Sequence, residues 1–493
     1  MGGSAAMLIR LRGLLAILCA VHFVRFWILP GRDGLWVDET GTYWTIAGGW
    51  DQLWVRTAMH PNSRIYGALI FVWTRLMGTS EFALRLPSLL AMLGSFAVMT
   101  VFLRRRLGAG TAWPVVALCL ASPELSFFAI EARPYAFALL MLAISTVAWV
   151  KLHEKMTWGR AALWVFSSGL LVHFQPVVAV ALSGQALWFV WRVDWRSMTA
   201  RRALAWCGIA VAAALVALPE VSRIFPLVIG DNVSALPGTP PAASAIKVAL
   251  PVSILVPASF AACALLLFRK WRPVSLDGTA RELALLGFFL VASTVGLCAG
   301  YSMFSNYNVL LPRYMIAVYP GCFLMVGALL ARWTDEKGRL WFALLYSGST
   351  LALSVAGQGW VPIHADADWR GAMTAVRQWE QDRPAPLLLQ SGFIEGSRFK
   401  ILKDPKWREF LSAPALYYRH SGPTYVLPFR TYRSHQPYMD ELIRRVDGQR
   451  FAVVLYSTPS ETPPYITSLA ARHGPPRLLE HFRRLDVYTF GPP

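Results

Sequence analysis

Two adjacent carboxylates, Asp38 and Glu39, lie in the stretch Leu35–Thr45 among Trp36, Tyr43 and Trp44. Trp and Tyr gather where a membrane meets water, one end of the ring dry and the other wet. An acid at that depth is costly unless it is solvated or used. A carboxylate there can take a proton from a hydroxyl group. In a helix, Asp38 and Thr42 share one face, and Glu39 and Tyr43 the next. The plainer alternative is a pair of solvated acids in a loop.

Other candidates recur between apolar runs: His60 and Arg64 before a short apolar segment, then Glu131, Arg133 and Tyr135 in one turn. His173 occupies a later turn, Lys247 enters an apolar run, and Arg313 and Tyr314 open another. Arginine and lysine at headgroup depth suit a phosphate or pyrophosphate, as bidentate or point-charge partners. The many Trp and Tyr residues suit sugar faces and isoprenoid chains. Each candidate also has a structural reading. Glu131 and Arg133 could pair between helices, His173 could be a packed core histidine, Arg313 could anchor a helix end, and Lys247 could snorkel. What joins them is that all fall on the face of the membrane that carries Asp38.

No phosphate-binding P-loop, no dinucleotide fingerprint after a strand and no His/Cys cluster with zinc spacing occurs. ATP coupling and a transition-metal site are therefore unsupported. Asp38 and Glu39 could together hold a divalent ion, but no metal and no other cofactor is expected.

The elements that must position these residues are membrane helices. The chain has 493 residues, 55% hydrophobic and only 15% charged, where a soluble domain carries about a quarter charged residues. The formal charge of +19 does not point to nucleic acid, because Lys and Arg recur in short clusters between apolar runs. A span needs about 20 apolar residues. On that basis eleven spans are expected, at about 8–29, 84–103, 111–130, 134–150, 161–174, 176–191, 203–219, 246–268, 282–300, 314–331 and 339–356. With the N-terminus cytoplasmic, every cluster from Arg104 to Arg106 through Arg332 to Arg339 falls inside. The loop of about 30–83, with Asp38, and the C-terminal tail then fall outside. Ile65–Met77 is too short to span and reads as a helix lying in the outer interface. The N-terminal run has no small-residue cleavage site and reads as an uncleaved anchor. The six cysteines read as buried small hydrophobes.

The expected division is a membrane domain over 1–356 and an extracytoplasmic α/β domain over 357–493. In the latter Asp368 caps a helix over Trp369–Gln381, and Pro386–Ser391, Phe451–Ser457 and Val487–Phe490 form strands. Pro463 and Pro464 could open a further helix to Arg472.

In their order along the chain these residues resemble the GT-C integral-membrane glycosyltransferases, nearest to the protein O-mannosyltransferases and lipid A aminoarabinose transferases (glycosyltransferase family 39-like). The resemblance rests on Trp36-Val-Asp38-Glu39, on His60-Pro61, and on Ser80-Glu-Phe-Ala-Leu-Arg-Leu-Pro87-Ser88. It continues through Ser122-Pro123, Glu131-Ala-Arg-Pro-Tyr135, Pro312-Arg-Tyr314 and Asp368-Trp-Arg-Gly371. It implies a polytopic helical membrane enzyme of a bacterial inner membrane, using a polyprenyl-phosphate sugar donor on the outer face. The acceptor would be lipopolysaccharide or lipid A, another envelope glycan or a protein hydroxyl. It implies that Asp38 is the catalytic carboxylate, with Glu39 orienting the acceptor or supporting Asp38. Arg133, Arg313 and Lys247 would hold the donor phosphate. His60, Tyr43, Glu131, Tyr135, His173 and Tyr314 would line the pocket. The family often continues His-Pro-Pro into paired aromatics, whereas this chain has Asn62, Ser63, Arg64, Ile65 and Tyr66, so Arg64 could add a phosphate contact. Two other classes fit the composition: a lipid or sugar flippase, which would often show inverted repeats not found here, and an envelope assembly protein whose tail binds a partner.

Overall fold

The computed structural model describes residues 2–59, 63–229, 252–267, 278–305, 308–381, 383–430, 433–456 and 464–491. The chain forms two compact units. One comprises Met1–Gly31, Ser63–Leu69 and Phe82–Pro362; the other comprises Arg32–Asn62, Ile70–Glu81 and Ile363–Pro493. The second unit thus takes up two stretches of the first loop besides the C-terminal tail.

The first unit is helical. Each of the eleven expected segments contains helix. Among the described residues, seven helices are long and apolar enough to cross a membrane, or eight if one bent pair is a single span. The bent pair is Ala109–Ala121 with Pro123–Ala129, which meet at 69°. Pro123 has no N–H for the preceding turn, and Ser122 caps the new helix by accepting from the Leu125 N–H. The segment expected over 176–191 is likewise broken, into a 3-10 turn at Val178–Ala181 and a helix at Leu182–Arg192. Part of the expected 246–268 span lies outside the described residues, and Val252–Leu267 is helical. The expected interfacial segment is a 14-residue helix, Arg64–Met77, about 21 Å long and short of the roughly 30 Å hydrocarbon core.

Apolar burial does not drive helices together inside lipid, so close approach and hydrogen bonds must. Helices Gly278–Phe304 and Tyr319–Trp333 meet at two glycines. A Cβ on Gly287 would lie 2.5 Å from the Gly321 carbonyl oxygen, and one on Gly321 would lie 2.6 Å from that of Gly287. Arg25, 1% exposed, closes the end of helix Glu336–Gln358 by donating to the carbonyls of Gly359 at 2.6 Å and Trp360 at 2.7 Å. Four cysteines are buried as expected, but Cys207 and Cys263 face outward. The helices bearing them, Ala200–Ile229 and Val252–Leu267, turn largely apolar faces away from the bundle, where a small hydrophobe needs no protein cover.

The second unit is built on a five-stranded sheet. Its strands are β1 (Leu387–Leu389), β2 (Thr424–Val426), β3 (Phe451–Tyr456), β4 (Arg477–Phe482) and β5 (Leu485–Phe490). They are ordered β2-β1-β3-β5-β4. β1 runs parallel to β2 and β3, while β5 pairs antiparallel with β3 and β4. Successive side chains of a strand point to opposite faces. Leu388, Val453 and Leu455 accordingly pack on one face with Phe410, Leu442 and Leu469, and Val37 and Trp44 of the first loop join that core. Leu387, Leu389, Ala452 and Val454 pack on the other face with Trp369, Met373 and Val376 of helix Trp369–Glu380. Asp368 caps that helix by accepting from the Gly371 N–H at 2.9 Å. Gly371 is required there, because a Cβ would lie 2.7 Å from the Phe482 ring.

Candidate functional site

In the second unit, helix Val37–Ala47 carries Asp38 and Glu39 in its first turn. Trp36 precedes the helix and offers no side-chain acceptor, so Glu39 supplies the cap: its carboxylate accepts from the Trp36 N–H at 3.1 Å. Both acids stand at the positive end of the helix dipole, where negative charge is favoured. They are not equivalent. Glu39 is 0% exposed, whereas Asp38 is partly open. Tyr43, one turn on, meets the Tyr417 ring edge-on at 4.8 Å.

The segment leading into this helix is tied down by residues of the tail. The His364 ring nitrogen Nε2 lies 3.9 Å from the Glu39 carboxylate, with side chains 1% and 0% exposed. The His364 backbone N–H donates to Asp33 at 2.8 Å, and the Arg483 guanidinium lies 4.0 Å from the same carboxylate oxygen. The Tyr418 hydroxyl accepts from the Leu35 N–H at 2.7 Å. Burial pushes the Tyr418 phenol well above the ordinary tyrosine range, with Glu81 adding to the rise, and the Leu35 hydrogen bond opposes it. Arg370 pairs with Glu81 at 2.9 Å and donates to the Arg32 carbonyl at 2.8 Å. The Asp368-Trp-Arg-Gly371 run is therefore a cap, a core residue, a tether and a close-packing glycine. His364 and Tyr418 carried no signal in the sequence, since each acts on residues more than 300 positions away.

The first unit gathers the cations. Arg133, Arg313, Tyr314 and Glu131 all act electrostatically on the Tyr135 phenol, so five of the expected site residues converge. Arg313 lies over the Tyr314 ring at 5.4 Å. The turn that presents Arg133 is fixed from both sides: its N–H donates to the Glu131 carbonyl at 2.7 Å, and its own carbonyl accepts from Ser88 at 3.1 Å. Arg85, 1% exposed, donates to the Gly31 carbonyl. The conspicuous Ser80–Ser88 run thus fixes neighbouring turns. Arg64 opens its helix half-buried. Rings link that helix to the His173 turn, Tyr66 to Phe137 at 5.8 Å and Phe137 to Phe174 at 5.2 Å. His173 itself donates from Nε2 to the Val216 carbonyl at 2.8 Å, and its Nδ1 lies 3.8 Å from Glu220. Glu220 is bound in turn by Arg223, at 3.1 Å through Nε and 2.5 Å through a terminal nitrogen. This Glu220–Arg223 pair was missed, although a Glu and an Arg three apart in an apolar run were there to be read. His60 and Lys247 lie outside the described residues. Among the described residues, no three His, Cys, Asp or Glu side chains gather as a metal site.

A helical unit with several membrane-length apolar helices and a small sheet unit, with the acid pair on the first loop, make up a fold that has counterparts among solved structures. The solved structures similar to this chain include ArnT from Cupriavidus metallidurans in the apo state, at 13% identity and a TM-score of 0.59, covering 97% of this chain and 98% of that one. The same protein bound to undecaprenyl phosphate matches at 13% identity and a TM-score of 0.58, with the same coverage. No family model and no curated protein sequence matches the chain.

Proposed function

We propose that this protein transfers a sugar from a polyprenyl-phosphate-linked donor to an acceptor hydroxyl on the outer face of a bacterial inner membrane. The observation that carries the reading is the likeness, over nearly the whole of both chains, to a protein solved with undecaprenyl phosphate. The cationic cluster around Tyr135 supports it. Arg133 and Arg313, with Lys247 and Arg64, hold the donor phosphate and offset the charge that grows on it as the glycosidic bond breaks. Asp38 takes the proton of the attacking acceptor hydroxyl as general base, and the sugar transfers with inversion. Glu39 supports Asp38. His60, Tyr43, Glu131, Tyr135, His173 and Tyr314 are assigned to substrate binding. No cofactor is invoked. The N-terminus is cytoplasmic and the sheet unit periplasmic. The acceptor is a glycan, a lipid such as lipid A, or a protein hydroxyl.

The test is transfer from a panel of radiolabelled undecaprenyl-phosphate sugars in membranes, wild type against Asp38→Asn at matched expression. Loss of a general base lowers the rate by roughly 10²–10⁴-fold. Equal transfer by both proteins removes Asp38 as the base. Absence of transfer by wild type with every donor and acceptor in the panel counts against the enzyme and for the flippase reading.

A further inference from the structure

Strand β1 lies between two parallel neighbours, β2 on one side and β3 on the other. The chain reaches β2 past the sheet face that holds Ala415 and Tyr418. It reaches β3 by helix Gln436–Arg445, whose Met439 and Leu442 pack on the opposite face. The two connections therefore part at the carboxyl ends of β1 and β3. In open α/β sheets of this 2-1-3 order, a ligand sits in the crevice at that point.

The residues at this edge are polar and fixed. Gln390, just past β1 and buried, ties the strand ends together. Its Nε2 donates to the Phe429 carbonyl at 3.0 Å, and its Oε1 accepts from the Tyr456 N–H at 3.0 Å. Gly392 leaves room for Tyr456, because a Cβ there would lie 2.8 Å from the ring. The Tyr456 hydroxyl reaches Asp366, 3.3 Å from either carboxylate oxygen. Arg484 pairs with Asp366 at 2.8 Å and donates to the Tyr456 hydroxyl at 3.3 Å. It stands in the turn between β4 and β5 at φ +52, a conformation that glycine and asparagine take more readily. Arg484 and Asp366 are 55% and 41% exposed, so their pairing adds little to the fold.

A phenol, a carboxylate and a guanidinium held side by side and open to water offer donors and acceptors that match the neighbouring hydroxyls of a sugar. Phosphate fits less well. Asp366 repels it, and β1 is followed by the 3-10 turn Ile394–Ser397, which carries Glu395, in place of a helix N-terminus. The same edge holds the acid segment. Arg483, beside Arg484, donates to the Ala365 carbonyl at 2.9 Å and lies 4.0 Å from Asp33. Helix Val37–Ala47 meets the loop after β1, where a Cβ on Gly41 would lie 3.4 Å from the Phe393 ring. Asp33 precedes Asp38 by five residues, a chain reach of at most about 18 Å.

We propose that the crevice at the ends of β1 and β3, with Asp366, Tyr456 and Arg484, binds a sugar residue of the acceptor. The inference rests on the reading of the protein as a sugar transferase with Asp38 as general base, and it narrows the acceptor to an extended glycan or glycolipid. No bond forms or breaks in the crevice; it sets the affinity for the molecule that presents its hydroxyl to Asp38.

The experiment uses full-length protein in nanodiscs and saturation-transfer NMR, with the methyl glycosides of glucose, galactose and mannose as probes. Wild type is compared with Asp366→Asn, Tyr456→Phe and Arg484→Gln. Arg472→Gln, which breaks an ion pair of like exposure with Asp447, is the control. We expect a glycoside signal in wild type and control, weakened about tenfold in Asp366→Asn and Tyr456→Phe by the loss of a hydrogen bond. Absence of signal from every glycoside in wild type overturns the proposal, as does equal signal in all variants. Displacement by inorganic phosphate overturns it in favour of an anion site. Displacement by undecaprenyl phosphate assigns the sugar to the donor site and overturns it too. If Asp366→Asn fails to fold, Tyr456→Phe carries the test. Binding needs no turnover, so the two readings fail separately. In the transfer assay the variants should raise KM for the acceptor about tenfold, with kcat and KM for the donor unchanged. A lowered kcat at unchanged acceptor KM overturns the acceptor role. No transfer by wild type refutes the transferase and the acceptor role with it, while the glycoside signal still reports on the sugar site.

Discussion

Glu220 and Glu39 are both buried carboxylates, 2% and 0% exposed, yet their ionisable neighbours come from very different distances along the chain. Glu220 sits in a membrane helix and is gripped by Arg223, three residues on. That pair exists as soon as the helix does. Glu39 sits in the sheet-bearing unit and faces His364, contributed by the far end of the sequence. The first arrangement has its closest ion pair within one helix, with His173 of another helix beside it. The second makes the acid turn answerable to the tail, so substitutions hundreds of residues away can reach it.

The largest effect is expected where the local pair is broken. Arg223→Ala leaves Glu220 buried with its main counter-charge gone, and should cost about 3–5 kcal/mol in detergent unfolding measurements. The double change Glu220→Leu with Arg223→Met should recover most of that. If it does not, the pair matters for shape and the contrast with Glu39 weakens. A smaller effect is expected at the long-range tie. Tyr418→Phe takes the acceptor from the buried Leu35 N–H, and should cost about 1–3 kcal/mol. The same variant sharpens the pH behaviour. Because burial raises the folded-state pKa of Tyr418 above its unfolded value, its contribution is complete below about pH 10 and is lost as pH climbs through the folded value. Tyr418→Phe should therefore flatten the alkaline fall in Tm, and an unchanged slope would assign it to another group. The smallest effect belongs to Arg370→Ala. Its ion pair with Glu81 is 44% and 22% exposed, so about 1 kcal/mol or less should be lost, and less still at high salt.

The helices were legible because membrane burial writes long apolar runs, and the acid pair because it interrupts aromatic neighbours. The Asp368 cap and strands β1, β3 and β5 were legible for similar reasons. β4 was not: its side chains are mostly exposed, so Arg477–Phe482 shows no apolar face to read. β2 has only three residues. The break at Ser122 was misread as a continuous span because its two halves are equally apolar, and only Pro123 marks the bend. Glu220 and Arg223 escape the sequence reading because charge marks the end of a span at about 219, whereas the helix continues to Ile229. The role of Glu39 as a cap could have been suspected from its position three residues after Trp36. Its partner could not, since nothing local distinguishes His364 from any histidine in a loop.

The span between Asp33 and His364 also sets a clock. The two residues are 331 positions apart, so at synthesis rates of 5–20 residues per second the acid segment precedes its partner by roughly 15–65 s. During that interval the first helices can already be inserted, while Glu39 waits without its histidine and Leu35 without its tyrosine. A nascent chain halted before residue 364 should therefore present the Leu35–Thr45 stretch to proteases, and release past the last strand should close it.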